Sequence, residues 1–295
     1  MTSLPGILVD TDWLAGHLED DDLVVLDCTV FLAPAKDPNA PKNGREAWEA
    51  GHIPGSVYAD LAKDLSDTNA AVRFMLPDAE HFSAAMSALG VGEGSTVVCY
   101  DGAGAMWSAR IWWMLRAYGF DNAAVLDGGS RKWKAEGRPL STGPAPVGVP
   151  EGAASTAKFV ARPREGVFAT KEDVLAAIND GGTCVINALG ADIHDGSAKS
   201  PYGRDGHIPS SVNVAAMSLI DDDTFAYRPL EEIRELFAAT GALERDRTIT
   251  YCGGGIAASS DAFMLTMLGH KNVAVYDASL SEWAADESLP IETGS

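Results

Sequence analysis

Cys252 stands where this chain could make a nucleophile. It closes the apolar run Thr248-Ile249-Thr250-Tyr251 and is followed by Gly253, Gly254 and Gly255. From Ile256 to Leu265 the pattern is helical. Glycines let main-chain N–H groups turn inward and come close to a ligand. The start of a helix adds partial positive charge. Both features favour thiolate over thiol, and thiolate is the reactive form. The sequence therefore predicts a catalytic cysteine at 252. The amides of the glycine loop and of the helix start are expected to face negative charge beside it.

A chain of 295 residues with 46% hydrophobic content has room for about two cored domains. Three segments that could position Cys252 occur twice. Gly51-His52-Ile53-Pro54-Gly55-Ser56-Val57 returns as Gly206-His207-Ile208-Pro209-Ser210-Ser211-Val212, displaced by 155 residues. Val97-Val98-Cys99-Tyr100-Asp101-Gly102-Ala103-Gly104 returns as Thr248 to Gly255, displaced by 151. Val125-Leu126-Asp127 with Trp133 returns as Val275-Tyr276-Asp277 with Trp283, displaced by 150. Matches in one order at a nearly constant offset mark a duplication. The expected organisation is a first domain over 1–140, a Pro- and Gly-rich linker over 141–160, and a second domain over 161–295.

Short apolar runs such as Cys184-Val185-Ile186 and Val273-Ala274-Val275-Tyr276 alternate with helical patterns such as Leu230 to Thr240. Thr170 is expected to cap a helix beginning at Lys171. The fold class predicted is α/β: tandem domains, each a mainly parallel sheet with helices on both faces. Such sheets place their sites beyond the carboxyl ends of strands, which is the position of Cys252.

The two copies are not chemically equal. Asp101 occupies the place of Cys252 in the first loop, so only the second domain is expected to be catalytic. His52 and His207 are kept in both copies, including the copy without a nucleophile, and are expected to be structural. Cys28, Cys99 and Cys184 lie in apolar runs and read as buried, inert thiols.

A net charge of -20 argues against nucleic acid and anionic membranes as partners. No apolar run reaches membrane-spanning length, and no signal peptide is visible. Four cysteines without metal-type spacing suggest neither a disulfide framework nor a metal site, and fit a reducing cytoplasm.

The repeated Gly-His-Ile-Pro turns, the strand-Cys-loop-helix element and the Leu126-Asp127-Gly128-Gly129 stretch with Trp133 resemble the two-domain rhodanese family of sulfurtransferases. The resemblance implies an inactive first domain and a second domain that works through a persulfide on Cys252, cradled by the loop residues Gly253, Gly254, Gly255, Ile256 and Ala257. It implies a donor such as thiosulfate or 3-mercaptopyruvate, and an acceptor such as cyanide, a thiol or a reduced thioredoxin-like protein. It implies no cofactor and no metal. Family members that prefer thiosulfate often carry a cation in the loop, and this loop has none. Members that prefer mercaptopyruvate usually carry serine where Gly254 stands, and two arginines where this chain reads Asn187 to His194 without one.

The candidates for the missing donor cation are Arg204, just ahead of the second Gly-His turn, and Arg110, on the helix after the Asp101 loop. Arg73, Lys199 and His194 are further options. A phosphatase is disfavoured because Ala258 and Ser259 occupy positions where a phosphate-binding arginine would be needed. A non-catalytic binding module of the same fold is the remaining alternative, and the intact Cys252 speaks against it.

Overall fold

The computed structural model describes residues 2–33, 37, 40–143 and 158–294. Most of the expected linker, 144–157, lies outside the described residues.

The first half contains β1 (Leu8–Val9), α1 (Thr11–His17), β2 (Leu23–Asp27), α2 (Gly44–Ala50), β3 (Val57–Tyr58), α3 (Ala79–Ala88), β4 (Thr96–Tyr100), α4 (Met106–Ala117), β5 (Ala123–Leu126) and α5 (Gly129–Ala135). The second half contains β6 (Phe168–Ala169), α6 (Lys171–Ala177), β7 (Thr183–Asn187), α7 (Ala191–His194), β8 (Val212–Asn213), α8 (Leu230–Ala239), β9 (Arg247–Tyr251), α9 (Ile256–Met267), β10 (Val273–Tyr276) and α10 (Ser279–Trp283).

Each half forms one five-stranded sheet, in the orders β1-β5-β4-β2-β3 and β6-β10-β9-β7-β8, and every strand pair in both is parallel. The topologies are identical, as a duplication requires. Central strands β4 and β9 are enclosed, as in sheets covered on both faces: residues 96–100 and 248–251 are all buried. Thr170 caps α6 in a reciprocal capping box with Asp173.

The chain divides into two compact units. The first comprises Met1–Thr68, Leu76–Pro163 and Asp222–Ala226; the second comprises Asn69–Met75, Arg164–Asp221 and Tyr227–Ser295. The first unit thus extends past the expected limit of 140, because Phe159 packs its ring against Phe82 and Phe120. Backbone bonds from Phe159 and Ala161 to the Ser87 and Ser83 hydroxyls fix that strap. Segment Asn69–Met75 belongs to the second unit although it comes from the first half of the chain.

The repeated turns have a visible purpose. In the second unit the Tyr251 hydroxyl accepts the Ile208 N–H at 3.0 Å and bonds the Ser211 hydroxyl at 2.8 Å. In the first, the Tyr100 hydroxyl meets Ile53 N–H at 3.3 Å and the Ser56 hydroxyl at 2.9 Å. Each Gly-His-Ile-Pro turn is therefore tied to the last residue of the strand that feeds the loop. His52 and His207 also form isolated antiparallel bridges, to Ser141 and Glu292.

His207 stacks on His194, with centroids 4.0 Å apart at 15°, and its Nδ1 bonds the His194 carbonyl at 2.7 Å. Burial, and then the neighbouring His207, depress the His194 pKa to about 4. An imidazole whose folded pKa is lowered favours the folded state above its ordinary pKa. That contribution, on the order of 3 kcal/mol, is lost as pH falls from about 6.5 towards about 4. We expect unfolding midpoints to drop across that window. A His194→Gln variant should lose this part of the slope in a denaturant series at several pH values.

Candidate active site

Cys252 begins a four-residue loop, Cys252 to Gly255, between β9 and α9. Its side chain is nearly enclosed, at 3% exposure. Gly255 takes a left-handed backbone (φ 72°) that turns the chain into α9. Gly253 must be glycine for another reason. A Cβ there would lie 1.9 Å from Cζ and 2.1 Å from Oη of Tyr202, whose ring rests on the loop.

Hydrogen bonds staple the loop to the start of α10. The Ser279 hydroxyl accepts the N–H groups of Cys252 (3.0 Å) and Gly255 (3.2 Å) and donates to the Tyr276 carbonyl (2.7 Å). The Cys252 carbonyl accepts Leu280 N–H at 3.1 Å, and the Gly253 carbonyl accepts Ser281 N–H at 3.0 Å. Ser279 holds this post in a left-handed backbone (φ 52°) that a non-glycine residue adopts only under strain. Its counterpart in the first unit is Gly129 (φ 49°), where a Cβ would lie 2.0 Å from the Asp101 carbonyl. The sequence reading missed Ser279. The signal available was the serine-for-glycine exchange at the turn before the repeated tryptophan.

Of the five expected cradle amides, Gly255 is taken by Ser279. Those of Gly253, Gly254, Ile256 and Ala257 find no acceptor among the described residues. Ile256 and Ala257 form the first turn of the twelve-residue α9, so their N–H groups point out of the helix start. Gly254 and Ala257 are the partly exposed members of the loop, and the site opens there.

The Asp101 loop shows what such amides do when an anion is present. One Asp101 carboxylate oxygen accepts the N–H of Ala103 (2.7 Å) and Ala105 (3.1 Å). The other accepts the N–H and the hydroxyl of Ser108, both at 2.8 Å. This loop, Asp101 to Ala105, is one residue longer than its partner. The added residue explains why the offset is 151 in the strands and 150 in the helices that follow.

Of the two expected donor cations, one is engaged by carbonyls and the other is enclosed. Arg204 is a structural clamp: its guanidinium donates to the carbonyls of Trp283 (3.0 Å), Ala284 (3.1 Å), Asp286 (2.8 Å) and Leu289 (2.8 Å). Arg110 lies on α4 at 0% exposure, closed to a dissolved anion. His194 is buried in its stack with His207. Cys28, Cys99 and Cys184 are buried free thiols, and burial raises the Cys184 thiol to about 11. Arg204→Gln should cost about 2–4 kcal/mol of stability, read as a lower unfolding midpoint. It should leave the donor KM within about twofold, which a substrate-binding arginine would not.

The model of the rhodanese-like domain matches this chain twice, over residues 10–136 and 171–286. The chain belongs to the rhodanese family. It is 33% identical over 300 residues to thiosulfate/3-mercaptopyruvate sulfurtransferase 2 of Arabidopsis thaliana, covering 96% of this chain and 86% of that protein. It is 32% identical over 286 residues to 3-mercaptopyruvate sulfurtransferase of Escherichia coli K12, covering 96% and 97%. The crystal structure of SseA from Escherichia coli superposes with a TM-score of 0.79 at 28% identity, covering 93% of this chain and 98% of that one. The tandem α/β rhodanese-like architecture expected from the sequence is the one observed.

Proposed function

We propose that this protein is a sulfurtransferase that carries sulfur as a persulfide on Cys252. The observation that supports this most is the placement of the thiol. It sits at the end of a central parallel strand and ahead of a twelve-residue helix, in a loop where the Gly253, Gly254, Ile256 and Ala257 amides have no acceptor among the described residues. Relatives spanning nearly the whole chain are named for this chemistry.

The thiolate of Cys252 attacks the outer sulfur of the donor. A Cys252–sulfur bond forms and the bond joining that sulfur to the rest of the donor breaks, its electron pair leaving with the departing group. From thiosulfate the departing group is sulfite. From 3-mercaptopyruvate it is pyruvate, with the donor's thiol proton ending on the methyl carbon. The persulfide keeps one negative charge, which the N–H groups of Gly253, Gly254, Ile256 and Ala257 are placed to share. Cyanide, a small thiol or a reduced thioredoxin-like protein then removes the sulfur and restores the thiolate. The four free cysteines suit a reducing compartment such as the cytoplasm. No helix among the described residues is long and apolar enough to cross a membrane.

Thiosulfate is the first donor to test and 3-mercaptopyruvate the second: the loop lacks the cation associated with thiosulfate, while Gly254 and the stretch Asn187 to His194 lack the serine and arginines associated with mercaptopyruvate. The test is thiocyanate production from thiosulfate and cyanide, beside pyruvate production from mercaptopyruvate. Mass spectrometry of the donor-treated protein should find the added sulfur on the Cys252 peptide. Sulfur on another cysteine, or no transfer from either donor, would overturn the reading.

A further inference from the structure

We propose that Arg73 and Tyr202 together form the subsite for the anionic end of the sulfur donor, a reading that rests on the sulfur transfer proposed above. The loop carries no cation of its own, and the chain bears a net charge of -20. A dianion such as thiosulfate needs a local positive field to approach such a molecule. The clamp of Arg204 and the burial of Arg110 remove the two arginines that the sequence suggested for this task.

Arg73 and Tyr202 meet consecutive residues of the loop. The phenol ring of Tyr202 rests on Gly253, and the main-chain oxygen of Arg73 lies 3.8 Å from the Cβ position of Gly254. Gly254 is partly exposed between the buried Gly253 and Gly255, so this is the side from which a donor enters. Arg73 belongs to the same compact unit as the loop. Its side chain is exposed and lies over the Phe74 ring, 4.7 Å from the centroid. That ring is buried in a left-handed turn (φ 67°), which holds the base of the arginine in place.

Other arginines of the chain are neutralised by acids: Arg138 pairs with Asp12 and Glu136, Arg162 with Glu93, and Arg247 with Asp173. Arg73 has no carboxylate partner among the described residues. Its charge is left for a ligand. The Tyr202 hydroxyl likewise has no hydrogen-bond partner among the described residues. Burial, and then Cys252 itself, raise its pKa, so it stays a donor. During transfer the sulfur moves inward to Cys252 and the departing group stays at the mouth. There the Arg73 guanidinium, carried by the segment that meets Gly254, and the Tyr202 O–H would bind sulfite or a pyruvate carboxylate by charge-assisted hydrogen bonds.

The test compares alkylation of Cys252 by iodoacetate, an anion, and iodoacetamide, its neutral analogue, with the Cys252 peptide quantified by mass spectrometry. Arg73→Gln should lower the iodoacetate-to-iodoacetamide rate ratio about tenfold, while Arg234→Gln, on the exposed face of α8, should leave it unchanged. In turnover, Arg73→Gln and Tyr202→Phe should each raise the KM for the anionic donor about five- to tenfold with little change in kcat. Titration with sulfite and with pyruvate tells which departing group the subsite holds, and Arg73→Gln should weaken the tighter of the two. An unchanged alkylation ratio in Arg73→Gln overturns the assignment. The alkylation ratio reads the anion subsite even if no sulfur is transferred, so failure of the enzymatic reading and failure of the subsite give different results.

Discussion

Cys252→Ser is expected to abolish sulfur transfer, with a loss on the order of a thousandfold or more in thiocyanate production. A serine hydroxyl does not ionise near neutrality and cannot hold a second sulfur. The loop should survive the exchange. Its geometry rests on main-chain bonds to Ser279, Leu280 and Ser281, and none of these uses the thiol. The unfolding midpoint is therefore expected to stay within a few degrees of the parent. A folded, inert Cys252→Ser protein supports the assignment. A folded protein that still turns over the donor at the parental rate removes the cysteine from the mechanism.

The second large effect concerns adjacent glycines that look interchangeable in the sequence. At Gly253 a methyl group would collide with the Tyr202 ring, at 1.9 Å from Cζ and 2.2 Å from Cε1. Either the ring or the loop must shift by an ångström or more. A misplacement of that size costs roughly a hundredfold in rate when the nucleophile is carried on the displaced segment. At Gly254 the nearest atom to an added methyl is the Arg73 oxygen, at 3.8 Å, an ordinary contact. Gly253→Ala should therefore lose about a hundredfold in kcat/KM, and Gly254→Ala less than about tenfold. Adding Tyr202→Ala to Gly253→Ala should return part of the loss, because it removes the obstacle. Steady-state assays of the three variants decide the matter. Equal losses at 253 and 254 would mean that the tyrosine ring does not shape the loop.

Much of this site could be read from the chain because the chain repeats itself. The duplicated strand, loop and turn placed Cys252 beyond a central strand and put Asp101 at the matching position of the other copy. The nearly parallel offsets even carried the loop-length difference, since they change from 151 before the loop to 150 after it. Contacts made far along the chain were not legible. Arg204 beside a conspicuous turn looks like a substrate cation. Its actual partners are carbonyls about eighty residues onward, and carbonyls have no sequence signature. Ser279 is hidden for a related reason. Its role depends on a left-handed backbone that brings one hydroxyl to two amides of a distant loop. Tyr202 falls in an irregular stretch without periodicity, so nothing local places its ring on Gly253.

Asp101 gives its own loop a tethered counter-charge that never departs. On the mechanism proposed above, the loop of Cys252 gains a charge on a second, outer sulfur only between the two half-reactions. On that mechanism, one half of the molecule holds at all times a charge of the kind that the other would take up once per cycle. Amide hydrogens of Gly253, Gly254, Ile256 and Ala257 should exchange with solvent more slowly after donor treatment, whereas those of Ala103 to Ser108 should not respond. The unarmed copy is in this sense a standing image of the loaded one, built from carbon and oxygen in place of sulfur.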